Sequence, residues 1–202
     1  MERIITEGID LTTRKIVRDI IKIVRSGEVG SWELPSDLDG DDYYDKEVKV
    51  YFDWNKNWKE EGQKYFVDGN YDDETETIQV VLFVNNDYYP ELLYDLIADL
   101  NDIIAHEYEH HYQNIELRPE NEYSTTDYED QPKDYTYYLQ SHEIPALIRG
   151  LRRVMKLRKI SFEDALNQWY TRTFDEKDMS KNDFEKLKDS LKKEYEKRHG
   201  KK

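Results

Sequence analysis

Between Thr77 and His111 the apolar pattern of this chain changes period, and that change restricts the fold more than any other feature. TIQVVLFVN, Thr77–Asn85, is dominated by β-branched and aromatic residues and bounded by polar clusters, the composition of a strand. After Tyr88-Tyr89-Pro90, the residues Leu93, Ile97, Leu100, Ile104 and His111 recur on one helical stripe, with Pro90 at the entry, where a proline is tolerated. A strand followed by a long amphipathic helix calls for a helix packed on a sheet. Two further strand-like runs precede it, at Val48–Trp54 and Lys64–Val67. Ile9–Arg25 reads as a first helix, with apolar Ile16, Val17, Ile20, Ile21, Ile23 and Val24 and a stop at Ser26-Gly27. SWELPSDLDGDDYYDKE, between them, reads as an irregular acidic connection. Beyond Pro119 a polar, tyrosine-rich stretch runs to about Lys133, followed by helical patterns at Ile144–Leu157, Phe162–Tyr170 and Phe184–Tyr195. The expected class is α+β in one domain over 1–202: helix, sheet and long helix in 1–118, and a helical C-terminal subdomain in 119–202.

At 202 residues the chain suits a single core with an appended helical lobe. Hydrophobic residues are 37% and charged residues 37%, but 17 Tyr, 6 Phe and 4 Trp supply the bulk for a core. There is no cysteine, so disulfides and thiolate metal ligands are excluded and any metal must be held by histidine and carboxylate. A net charge of −15 repels a phosphate backbone, so no nucleic-acid partner is expected. The basic run from Lys192 to Lys202 reads as the positive end of a helix. The N-terminus lacks the apolar core of a signal peptide and no stretch approaches the ~20 apolar residues of a membrane span, so a cytoplasmic location is expected. Asp37–Asp42 has the alternating carboxylates of a calcium loop but not the EF-hand glycine and glutamate, and reads as a solvated acidic loop.

The long helix carries H-E-Y-E-H, His106 to His110. Residues four apart share a helix face, so His106 and His110 can hold one ion while Glu107 leans over the water on it. Imidazole suits zinc, and a catalytic zinc takes three protein ligands and keeps a place for water, whose pKa it lowers toward ~7. Glu107 would take the water's proton and deliver it to the leaving amine. Four of the five histidines lie at 106, 110, 111 and 142. For the third ligand the first choice is Glu143, which opens a helix in SHEIPALIRGL with Ser141 as its expected cap; His142, Glu116 and Glu129 are alternatives. His111 projects about 100° from His110, onto the apolar stripe, and is expected to pack.

With His106, Glu107 and His110 followed by a separate helix bearing Glu143 in the order E-I-P-A, the chain resembles the gluzincin side of the zincin metallopeptidases. The resemblance is particularly to the very small single-lobed forms and the HExxH proteins of phages, over about Thr77 to Leu151. The resemblance implies a zincin-like α+β fold, one zinc per chain, and hydrolysis of peptide bonds in a peptide or protein substrate, in host cytoplasm if the origin is viral. It also implies that the strand before the active-site helix, Thr77–Asn85, lines the cleft and pairs with an extended substrate, and that a Tyr or His steadies the oxyanion. Tyr138 is the first choice for that role, ahead of Tyr137 and His142. Leu147 stands where many gluzincins have an Asp that supports a histidine ligand, so that support must come from elsewhere. Gln113 and Glu116 occupy the positions of the metzincin Gly and third His, which excludes that class. Two other readings share the motif: a zinc hydrolase of non-peptide amides, and a non-catalytic zincin-like structural or interaction protein of a virion or of host takeover, against which an intact Glu107 argues.

Overall fold

The computed structural model describes residues 2–34, 47–54, 63–72, 74–113, 137–174 and 179–200, with side chains from residue 11 onward. The acidic loop Asp37–Asp42, the alternative ligands Glu116 and Glu129, and the tyrosine-rich stretch up to residue 136 lie outside the described residues. The class is mixed α and β. In chain order the elements are α1 (Glu2–Ser26), β1 (Gly30–Leu34), β2 (Glu47–Trp54), β3 (Tyr65–Asp72), β4 (Thr77–Val84), α2 (Leu93–Tyr112), α3 (Glu143–Arg158), α4 (Phe162–Thr173) and α5 (Lys181–His199). They fall into two compact units, residues 1–111 and 112–202.

In the first unit one four-stranded sheet has the order β1-β2-β4-β3, with β2 and β4 parallel and the outer pairs antiparallel. Alternation decides its faces. Val48, Val50 and Phe52 of β2 and Ile78, Val80, Leu82 and Val84 of β4 point inward and are buried. They share one core with Ile16, Ile20 and Val24 of α1 and with Leu96, Leu100, Ile104 and Tyr108 of α2. Each large side chain so buried contributes roughly 1.5–3 kcal/mol relative to exposure. The apolar stripe of α2 therefore runs through Leu96, Leu100, Ile104 and Tyr108, one position off the expected Leu93 and Ile97, which are only partly buried against this core.

Three expectations are corrected. Ser31–Leu34, read as irregular, belongs to an edge strand, Gly30–Leu34, paired with β2; five residues next to a Pro/Asp-rich segment are too few to show a period. Strand β3 extends five residues past Val67, because its pairing with β4 continues through Asp72↔Thr77. The turn is held there by the Asp72 carboxylate, which accepts N–H bonds from Glu74 (3.0 Å) and Thr75 (3.2 Å). Bonding from Thr75 holds that carboxyl below its ordinary value. Finally, β4 is hydrogen-bonded on both sides, by β2 and by β3. It offers no edge to an extended substrate; among the described residues the edges belong to β1 and β3.

In the second unit Leu147, Ile148, Leu151 and Val154 of α3 pack with Phe162, Leu166 and Trp169 of α4 and Phe184, Leu187 and Leu191 of α5. Ser161 caps α4 in a reciprocal box with Asp164, and Ser180 caps α5 through the N–H of Asp183. No described helix is long and apolar enough to cross a membrane.

Candidate metal centre

Helix α2 presents three successive faces, and their 3.6-residue period assigns the site residues to two of them. The core stripe ends at Tyr108. Beside it, residues at intervals of four meet the inward row of β3: the Tyr65 hydroxyl donates to Asp99 (2.6 Å), and the Tyr71 hydroxyl lies 3.1 Å from Nδ1 of His111. Between these two, Gly69 of β3 lies over Ile103 and Glu107. His111 is thus half-buried against the sheet, tied to Tyr71 by a polar contact as well as by packing.

On the third face, His106 and His110 turn their Nε2 atoms toward each other at 2.9 Å, with ring centroids 4.7 Å apart. That separation suits one shared proton or two lone pairs aimed at one cation. Around a tetrahedral zinc with 2.0–2.1 Å bonds, neighbouring nitrogens would sit about 3.3 Å apart, a small rotation away.

Glu107 is 7% exposed. A methyl group at Gly69 would fall 2.2 Å from Cγ2 of Ile103, 3.4 Å from Cγ of Glu107 and 3.6 Å from its Oε1. An isolated glycine inside a strand marks such an approach of backbone to a neighbour. That signal stood in the sequence, but Gly69 reads there as the end of a short strand. Gly69→Ala is expected to cost about 1–3 kcal/mol by overpacking. Urea unfolding would show it, with Ile103→Ala in the same chain recovering part of the loss; equal stability of wild type and Gly69→Ala would deny the contact.

Glu143 is the first residue of α3 and 2% exposed. The N-cap position is taken by His142, in helical geometry and without a side-chain cap bond, rather than by the Ser141 expected there. The backbone enters as a turn instead, with the N–H groups of Glu143 and Ile144 both donating to the Gln140 carbonyl. A buried carboxylate needs partners. The Tyr137 hydroxyl donates to Oε1 of Glu143 at 2.8 Å, and Nε2 of His142 lies 3.4 Å from the same oxygen. The place of His142 is fixed in turn by Gln113, whose amide donates to its carbonyl.

Tyr138, expected to steady an oxyanion, has its ring edge-to-face against Trp169 (5.2 Å), Phe174 (5.3 Å) and Tyr137 (5.0 Å). It packs with the apolar cluster of the second unit. The hydroxyl that bonds Glu143 at 2.8 Å belongs to the adjacent Tyr137.

Among the described residues, His106, His110 and Glu143 form a group that could hold a metal ion, each offering one ligand atom within 4.8 Å of the others. Two imidazoles and a carboxylate, with no thiolate, form a donor set that zinc accepts. The chain matches no protein-family model, and comparison with curated proteins and with solved structures finds none similar to it.

Proposed function

We propose that this chain is a zinc-dependent hydrolase of peptide bonds, with a zincin-like, gluzincin-type arrangement in which His106, His110 and Glu143 hold the ion and Glu107 is the general base. The observation that carries the reading is the convergence of those three ligand atoms, with Glu107 next to His106 on the same helix. A zinc ion in that set would acidify water and polarise a carbonyl. The chain's own groups supply the rest. The Glu107 carboxylate accepts a proton from water and returns it to the leaving amine nitrogen. Its burial under Gly69 restricts its rotamers, which lowers the cost of orientation. Edge strand β3, whose inward row tracks α2 from Asp99 to His111, is the strand to which an extended peptide would pair, in place of β4.

Support for the carboxylate ligand comes from Tyr137 and His142. Tyr137→Phe removes the hydroxyl that orients Glu143 and is expected to weaken zinc binding about 10- to 100-fold. Titration against a chromogenic chelator measures it, and an unchanged affinity would remove Tyr137 from the site.

The reading as a whole is tested by elemental analysis of the purified chain beside His106→Ala and Glu143→Ala, followed by a fluorogenic peptide library. About one zinc per chain, lost in the first variant and weakened in the second, with hydrolysis in wild type, is the expected result. Failure of wild type to take up zinc on titration would overturn it. Zinc binding without hydrolysis of any peptide would leave a metal-binding protein and deny the peptidase.

A further inference from the structure

The sheet of the first unit has a second face, away from α1 and α2, and it is apolar at its centre. Residues of alternate parity point there: Tyr51 of β2, Val81 and Phe83 of β4, and Phe66 of β3. The register sets Tyr51 beside Val81, and Phe83 beside Phe66. The rings meet, Tyr51 to Phe83 at 5.8 Å and Phe66 to Phe83 at 6.1 Å. Tyr51 is 41%, Phe66 41% and Val81 36% exposed, so three strands together present one connected apolar surface to solvent. A scattered exposed apolar residue is ordinary, but a contiguous patch with a polar rim marks an interaction surface.

The rim decides what can cover it. The same face carries Glu33, Glu47, Asp53, Asp68 and Asp72, against Lys49 alone among the described residues. Asp53 and Asp68 flank the rings directly, each paired in register with a member of the patch, Phe83 and Val81. A second copy of this face would bring like charges together, and a nucleic acid or an anionic lipid surface would be repelled. A cationic polypeptide with large apolar side chains satisfies both the centre and the rim.

We propose that this outer face, centred on Tyr51, Phe66, Val81 and Phe83, docks a basic amphipathic segment of a partner protein, independently of the metal centre on α2. The probe is a fluorescein-labelled amphipathic helical peptide of lysine and leucine, followed by anisotropy with the full chain, with and without zinc. Expected is binding that zinc does not alter and that weakens roughly tenfold or more in Tyr51→Ser/Phe66→Ser, which keeps every rim charge. Asp53→Asn/Asp68→Asn should weaken it too, while Glu185→Gln/Asp189→Asn on α5, an equal change of charge, should not. Should the double aromatic change unfold the chain, Val81→Lys places a cation in the patch and is expected to weaken binding likewise. The proposal is overturned if the peptide does not bind, if the α5 variant loses as much as the rim variant, or if the aromatic variant binds as wild type. Binding that depends on zinc would assign the peptide to the metal centre and overturn it. Wild-type self-association abolished by Tyr51→Ser/Phe66→Ser in sedimentation would instead assign the face to a second copy.

Discussion

Glu107→Gln is expected to keep the zinc of wild type and to lose about 10²–10⁴ in kcat/KM on a peptide substrate. The substitution preserves the shape of a side chain that is 7% exposed and lies under Gly69, so the helix and both histidines have no reason to move. What it removes is the carboxylate's capacity to accept a proton, the one step for which neither imidazole is placed if both hold an ion. Steady-state kinetics on a fluorogenic peptide, beside elemental analysis of the same preparations, measures the two properties separately. A rate equal to wild type with zinc retained would remove Glu107 from the chemistry. Loss of zinc together with rate would show that Glu107 holds the site in shape.

The second large effect is on stability. Zinc at about 1,000 times its Kd is expected to raise the unfolding free energy by roughly 4 kcal/mol, because the folded chain binds it and the unfolded chain does not. For a chain of this size that is an upward shift of about 8–16 °C in Tm. His106→Ala should abolish the shift while leaving the metal-free Tm close to that of the wild type. The reason is local: His106 is only partly buried and lies outside the apolar stripe through Leu96, Leu100, Ile104 and Tyr108. Calorimetry with and without zinc measures both. A wild-type Tm unmoved by saturating zinc would deny the metal centre, and an equal shift in His106→Ala would place the ion elsewhere.

Much of the site was legible along the chain because a helix turns local spacing into a shared face. His106 and His110 meet through the period of α2, and Glu107 follows as their neighbour. Strand β4 and helices α3, α4 and α5 were readable for the same reason, a sustained apolar period within each segment. The errors fell where the deciding partner is distant. Strand β1 is too short to show a period, and along the chain β3 reads as ending at Val67 because its last residues are strand only through pairing with β4.

The sequence by itself determined that a helix would carry two imidazoles and a carboxylate on adjacent faces, since backbone geometry alone imposes that spacing. Tertiary structure decided what surrounds them. It gave β3 rather than β4 the edge, because strand order is a matter of which backbones pair, and a strand's own residues do not encode its neighbours. It put the Tyr137 hydroxyl on Glu143 and the Tyr138 ring against Trp169 and Phe174, since consecutive side chains diverge and only packing shows which ring joins the core. It also set Gly69 over Glu107, a contact between residues far apart in sequence whose only local trace is a missing side chain.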